Sequence, residues 1–371
     1  MEKRKLVYIC EALGGGVRKH LIDVLKEIDR DKFEIFLIYS PIRADKVFMH
    51  ELKSIIDSGV KCYSVKMSRN ISLIDDMKAF ILIYKILKQI KPNIVHCHSS
   101  KAGALGRLAG FFLGVEKIYY TPHAYIMQKP GVFYLKKMIF LIIEKLLGKI
   151  TTKTINVSNG EREFALKNKI VGKENSITIY NGINPPLIQK SRKVKKNIVI
   201  GTIARMDDQK DPMTFYKIAK EIVCSYPNVE FWYVGDGPLK HLIENQVIEE
   251  GLEDQIKLLG FQDNVNKYLS DFDIFITTSL YEGLPYSLIE ALSLGLPIIA
   301  TDIIGNNEIV KDNKNGFLFN IYDVEMAVEK ISKLIHNEPL INRFSKESSL
   351  YFHKNFLLKD MIISLEKLYE S

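Results

Sequence analysis

The sequence predicts an α/β protein of two doubly wound domains, with parallel sheets facing each other across a cleft. Three observations carry this. Short apolar runs alternate with amphipathic helical patterns along all 371 residues, which marks βαβ units. Those runs lack the in–out alternation of half-exposed strands, as strands covered on both faces do. A dense stretch of turn residues, Asn181-Gly182-Ile183-Asn184-Pro185-Pro186, followed by the basic run 190–196, interrupts the pattern near mid-chain before a fresh strand opens at Ile198.

Taken in order, residues 6–10, 34–39, 94–98, 118–121 and 154–157 read as buried strands of the first half, with helical patterns such as 17–28 and 77–90 between them. The second half repeats the rhythm with strands at 198–203, 230–234, 256–259, 274–277 and 297–300. In such sheets ligands sit at the carboxyl ends of the strands.

With 47% hydrophobic residues and ordinary Gly and Pro, the chain is long enough for two packed cores. Cys10, Cys62, Cys97 and Cys224 are scattered, which argues for a reducing compartment and against a structural zinc site. The apolar run after Met1-Glu2-Lys3-Arg4-Lys5 is too short for a signal peptide, and no apolar stretch reaches the roughly 18 residues needed to span a bilayer. A cytoplasmic protein is expected. The net charge of +8 is uneven: residues 1–200 hold 36 Lys and Arg against 17 Asp and Glu, whereas 201–371 hold 16 against 27. The basic half reads either as a lysine-rich solvated surface or as a face for a polyanion. Anionic lipid headgroups are the sharper candidate, at about 1 kcal/mol per basic residue. Nucleic acid is not expected, because Phe and Tyr fall at core spacings rather than among the basic clusters.

The segment richest in chemistry is Ser279-Leu280-Tyr281-Glu282-Gly283-Leu284-Pro285-Tyr286-Ser287-Leu288-Ile289-Glu290, placed after the apolar run Ile274-Phe275-Ile276. The order is strand, Gly/Pro loop, helix. Glu282 on the loop and Glu290, expected two turns into the helix, can flank one ligand. The helix start between them presents N–H groups that favour an anion. Two acceptors for hydroxyl protons beside a phosphate cradle suit a sugar nucleotide and point to glycosyl transfer.

Arg205 and Lys210 follow the strand at 198–203. As a fork and a point charge they can clamp a diphosphate; alone they would pass for surface charges. Gly14-Gly15-Gly16 after the first strand either frees N–H groups for an anion or makes a tight turn, and it is not the dinucleotide fingerprint. His123, after Thr121-Pro122, is a structural histidine or a pocket residue at a strand's carboxyl end. His96 and His98 share a strand face, but no third metal ligand is evident nearby, and no metal is expected. Ser100 and Lys101 open a helix that holds a phosphate or is simply capped. The apolar, basic helix at 131–150 either lies in a membrane interface or packs in the core.

The glycine loop, Thr121-Pro122-His123, Asn181-Gly182-Ile183, Arg205/Lys210, Gly235-Asp236-Gly237-Pro238 and Glu282/Glu290 occur in an order and spacing that resembles the retaining family 4 (group 1) glycosyltransferases, whose GT-B fold pairs two Rossmann-like domains. The resemblance spans nearly the whole chain. It implies an acceptor domain at 1–182, a donor domain at 183–349, and a terminal helix at about 350–371 returning to the first. It implies that Arg205 and Lys210 hold the donor diphosphate, Glu290 the ribose and Glu282 the transferred sugar. Gly283, Leu284, Pro285 and Ser287 would approach sugar and phosphate, and Gly260-Phe261 would meet the base. Gly15 and Gly16 would lie against the donor, and His123 would contact the sugar near its reacting carbon. Arg69, with Ser100 and Lys101, falls to the acceptor or a phosphate. Two departures stand out: Ala204 and Asp211 occupy positions where glycine is usual. The detail looks most like capsule, exopolysaccharide and lipopolysaccharide enzymes. These imply a UDP-sugar donor (a GDP-sugar second), a lipid-linked or saccharide acceptor, no cofactor, and a place at the inner face of the cell membrane. Loops at 43–49, 67–71 and 124–131 would choose the acceptor. A nucleotide-sugar epimerase or a non-catalytic two-domain binding protein are the alternatives.

Overall fold

Runs such as Leu6-Val7-Tyr8-Ile9-Cys10 are wholly buried, so both faces of each strand must be covered, and helices cover them. The computed structural model describes residues 3–186 and 197–371; the basic run 190–196 lies outside the described residues. In chain order come β1 (Arg4–Cys10), α1 (Gly15–Glu27), β2 (Phe33–Tyr39), α2 (Lys46–Asp57), β3 (Lys61–Ser64), α3 (Leu73–Ile90), β4 (Ile94–His98), α4 (Ser100–Phe112), β5 (Lys117–Thr121), α5 (Tyr134–Gly148), β6 (Lys153–Asn156), α6 (Asn159–Lys167) and β7 (Ser176–Thr178). There follow β8 (Ile198–Ile203), α7 (Pro212–Ser225), β9 (Val229–Val234), α8 (Lys240–Glu249), β10 (Ile256–Leu258), α9 (Val265–Asp271), β11 (Ile274–Thr277), α10 (Tyr286–Ser293), β12 (Ile298–Thr301), α11 (Asn306–Ile309), β13 (Gly316–Phe319), α12 (Val324–Ile335), α13 (Glu338–Asn355) and α14 (Leu358–Glu370).

The chain divides into two compact units, 1–181 with 358–371, and 182–357. The first holds a seven-stranded parallel sheet, ordered β3-β2-β1-β4-β5-β6-β7. One face packs against α1, α2 and α14, and the other against α3, α4 and α5. Helix α14 is bound in by its last turn. The Tyr369 hydroxyl lies 2.7 Å from His96 Nδ1 and 3.2 Å from the Tyr8 hydroxyl, and the Tyr119 hydroxyl donates to Leu368 O at 2.8 Å. The second unit holds a six-stranded parallel sheet, ordered β10-β9-β8-β11-β12-β13. Its largest core cluster joins the strands to α7, α8, α12 and α13.

Both sheets reverse their winding once, between β1 and β4 in the first and between β8 and β11 in the second. At such a reversal the loops leaving two adjacent strands diverge and open a crevice at their carboxyl ends. Each crevice here is crossed by a charged side chain.

Candidate active site

In the second unit the loop after β8 carries Arg205 and Lys210, and the loop after β11 carries Glu282. Hydrogen bonds stitch the two loops together. The Thr278 hydroxyl bonds to Lys210 O at 2.8 Å and Asp211 O at 2.9 Å, Leu280 N to Gln209 O at 2.8 Å, and the Gln209 amide to Tyr281 O at 3.0 Å. So supported, the Lys210 ammonium meets the Glu282 carboxylate in an ion pair, with the side chains 16% and 9% exposed. Arg205 stays exposed at the rim, 2.9 Å from Asp207 and 3.2 Å from Gln209 Oε1.

The two departures from the family pattern acquire a local explanation. Asp211 adopts a left-handed φ of 45°, the conformation glycine takes without strain, and its carboxylate caps α7 through Thr214 N at 3.2 Å and the Thr214 hydroxyl at 2.6 Å. Ala204 lies under the next loop. A Cβ on Gly235 would stand 1.8 Å from Ala204 O, and one on Gly237 2.4 Å from Met206 O. The glycines of Gly235-Asp236-Gly237 thus let that loop rest on the main chain around Arg205, whose carbonyl accepts the Tyr233 hydroxyl at 3.0 Å.

Glu290 is the fifth residue of α10, one turn in rather than two, because Pro285 sits at the N-cap and the helix begins only at Tyr286. Gly283, Leu284 and Pro285 are buried, while Ser287 and Glu290 are half-buried. A brace holds this loop from behind: Gly305, at φ 88°, passes so close that a Cβ there would lie 2.4 Å from Gly283 O. The Thr301 hydroxyl donates to Ser279 O at 2.6 Å, and Asn306 Nδ2 to Thr301 O at 3.1 Å. Phe261 follows Gly260 after β10 and is exposed.

In the first unit His123 and Ala124 both have positive φ, 57° and 95°, and are pinned by the buried Glu161, whose carboxylate accepts Ala124 N at 2.6 Å and Val157 N at 2.8 Å. This strained turn sets the His123 ring 3.0 Å from His98 Nδ1 and 4.9 Å, ring to ring, from His20. His20 Nδ1 is in turn 3.1 Å from Asn181 Oδ1. Burial strips these rings of water and holds them neutral: His20 is pulled down to about 4, and His96, His98 and His123 lie well below the usual histidine range. The sequence offered no third ligand beside His96 and His98. Among the described residues the fold groups His98, without His96, with two others: one nitrogen from each of His20, His98 and His123 lies within 4.8 Å of the others. That spacing suits a shared metal ion, and it equally suits neutral rings sharing protons, as the His98–His123 bond does.

At the start of α4, where Ser100 and Lys101 were expected to meet the acceptor or a phosphate, a carboxylate of the chain itself is bound. Glu11, buried at the end of β1, crosses the first crevice to the start of α4, where its carboxylate accepts Ala102 N at 2.9 Å, Lys101 N at 3.3 Å and the Ser99 hydroxyl. A carboxylate therefore already occupies the anion position, with Arg43 3.1 Å away as counter-charge. The Lys101 ammonium pairs with Asp76 and Asn70 O, and Ser100 is exposed. Arg69 is exposed on the neighbouring coil. Gly15, at φ 57°, opens α1 two residues before the predicted start, with Gly16 behind it and no side-chain cap.

Glu11, His20, Glu161 and Gly305 escaped sequence reading, and Asn181 was singled out there without its contact to His20. Only Glu11 carried a signal, as an acid directly after a buried strand; the others depend on contacts between distant segments.

The models for Glycosyltransferase Family 4 and for Glycosyl transferases group 1 match residues 14–186 and 184–350. The UDP-Gal:alpha-D-GlcNAc-diphosphoundecaprenol alpha-1,3-galactosyltransferase of Escherichia coli is 30% identical over 370 residues, spanning 96% of this chain and 93% of that protein. The chain belongs to the family 4, group 1 glycosyltransferases. The capsular polysaccharide biosynthesis glycosyltransferase CapM of Staphylococcus aureus is 26% identical over 326 residues, 83% of this chain and 84% of its own. The crystal structure of Anabaena HepE in complex with UDP and glucose superposes with a TM-score of 0.82 at 18% identity, over 100% of both chains. The two parallel-sheet units of this glycosyltransferase are thus those of the GT-B fold.

Proposed function

We propose that this glycosyltransferase moves a sugar from a UDP-sugar to a lipid-linked saccharide in cell-surface polysaccharide synthesis, at the inner face of the membrane and without a metal. Retention at the anomeric carbon is part of the proposal. The observation that carries it is the Lys210–Glu282 pair at the β8/β11 crevice, with Arg205 on the same loop. The names of two similar proteins support the donor and acceptor classes: the Escherichia coli relative is named for UDP-Gal and a GlcNAc-diphosphoundecaprenol, and HepE was solved with UDP.

The domain at 183–349 takes the donor and that at 1–182 the acceptor. As the bond from the anomeric carbon to the β-phosphate oxygen breaks, charge grows on the diphosphate. The Arg205 fork, the Lys210 ammonium and the start of α10 near Ser287 meet it with fixed positive potential. Glu282 takes hydroxyls of the transferred sugar and Glu290 those of the ribose. His123, neutral, meets the sugar near its reacting carbon. The acceptor oxygen attacks on the face the phosphate leaves, its proton passes to that phosphate, and UDP departs.

Because Lys210 is engaged by Glu282 beforehand, the diphosphate must share it. Glu282→Gln removes that competitor, so UDP should still raise the melting temperature of this variant while sugar transfer is lost. Lys210→Met should lose both. Thermal shift against UDP and GDP tests this, since only a ligand of the folded form stabilises it. A larger shift with GDP would reassign the base, and no shift with either nucleotide in the unmutated protein would end the reading.

A further inference from the structure

Helix α5 is apolar on both sides: Phe140, Leu141 and Leu147 turn to the core, and a second apolar stripe is left outside. Its only acidic residue, Glu144, is buried, 2.9 Å from Arg107 Nη2 and 3.1 Å from the Tyr120 hydroxyl, and the Arg107 guanidinium lies 3.7 Å over the Tyr120 ring. That polar tie fixes the rotation of the helix about its axis. The side turned to solvent carries Leu135, Ile139, Ile142 and Leu146, at steps of four, three and four residues, which is one stripe of an α-helix. Leu135 is 72% exposed and Leu146 58%, and Phe133 and Tyr134, just ahead, are 85% and 78% exposed. A helix on a water-facing surface places its apolar stripe inward, and a contiguous apolar patch left outside marks a contact.

The charge around the stripe is of one sign. Lys136 and Lys149 are exposed, Lys137 and Lys145 are half-exposed, and with Glu144 buried the helix shows no acid to solvent. An open groove of about 650 Å³ beside it is lined by Ile142 and Leu146 and by Lys145, Lys149 and Lys169. Helices α3 and α4 cover the same sheet face, and they too expose apolar ends at Leu73 and Phe112. Among the described residues no helix is long and apolar enough to cross a membrane.

We propose that the outer face of α5 lies in the headgroup region of an anionic bilayer, with the Leu135–Leu146 stripe among acyl chains and the flanking lysines on lipid phosphates. An anionic lipid surface complements both halves of this face, apolar and cationic, at once. The proposal deepens the lipid-linked acceptor reading and rests on it for its purpose: a face docked in this way holds the acceptor unit beside the plane in which such a substrate diffuses.

The full chain is tested by co-sedimentation with vesicles of equimolar phosphatidylcholine and phosphatidylglycerol and with phosphatidylcholine alone. Binding is expected to the anionic vesicles and to fall with salt. Leu135→Ser with Ile139→Ser and Ile142→Ser should weaken it more than about tenfold. Lys136→Gln and Lys149→Gln should cost roughly fivefold each, and these exposed lysines leave the thermal melt in place. Wild-type binding to neither vesicle, or all three variants binding like wild type, overturns the proposal. So does a dimer in sedimentation equilibrium that the serine variant abolishes, since the face would then belong to a second copy. Transfer onto a water-soluble acceptor fragment separates the two readings. A chain that binds vesicles but turns over no sugar nucleotide leaves this proposal standing and ends the transferase one, and the serine variant should keep that soluble transfer.

Discussion

Neutralising both members of the Lys210–Glu282 pair should cost clearly less than the sum of neutralising each alone. The two groups touch, with side chains only 16% and 9% exposed, so little water screens them. Unit charges about 4 Å apart at an effective dielectric near 20 attract by about 4 kcal/mol. Removing one partner leaves the other charged, poorly hydrated and unanswered, at a cost of about 3–5 kcal/mol. Glu282→Gln and Lys210→Met should therefore each lower unfolding free energy by about 3 kcal/mol or more. The double variant, which buries neither charge, should recover about 2 kcal/mol or more of the summed loss. Urea unfolding of the four proteins, followed by a probe of the second unit such as Trp232 fluorescence, gives the cycle. Single-variant effects that add to within about 0.5 kcal/mol would refute the reasoning, because sites that do not interact behave in that way.

Three more outcomes follow from the geometry. Gly305→Ala forces a Cβ into left-handed backbone 2.4 Å from Gly283 O; we expect a loss of about 2 kcal/mol or more and a fall in kcat as the Gly283 loop shifts, and an unchanged urea midpoint with unchanged kcat would remove the brace from the account. His20, neutral and buried, binds its proton more readily in the unfolded chain. Its contribution to stability is complete above pH 6.5 and drains away as pH falls toward about 4, on the order of 3 kcal/mol in all; a urea midpoint flat between pH 7 and 4.5 that His20→Gln does not alter would contradict this. Transfer should survive EDTA. Loss in EDTA with recovery on adding a divalent ion would reassign His20, His98 and His123 as ligands.

The fold class was legible because its signal is local. Parallel strands covered on both faces must be apolar throughout, and ten such runs stand out by eye. Three strands did not. β3 (Lys61–Ser64) is an edge strand with a half-exposed pattern, β7 (Ser176–Thr178) is three residues long, and β13 (Gly316–Phe319) is an edge strand opened by glycine. In the second unit the approach of Lys210 to Glu282 was legible too. Lys210 and Glu282 each sit a few residues past a strand, so the switch-point rule alone brings them near one another. The first unit was harder. That Glu11 would reach the start of α4, or that His20 would reach His123, depends on packing between segments about 90 and 100 residues apart, and no spacing rule encodes it.

Tyr369 carries a timing consequence. The first sheet contains His96, whose ring is fully buried and bonds to the Tyr369 hydroxyl, yet 176 residues of the second unit lie between Asn181 and Leu358. On a ribosome, where domains form in the order they emerge, the leading half must wait with an open flank while the trailing half is made and folds. Its completion comes only after the second unit has been made, and a chain cut short before Tyr369 would carry a finished second unit and a first unit that never closes.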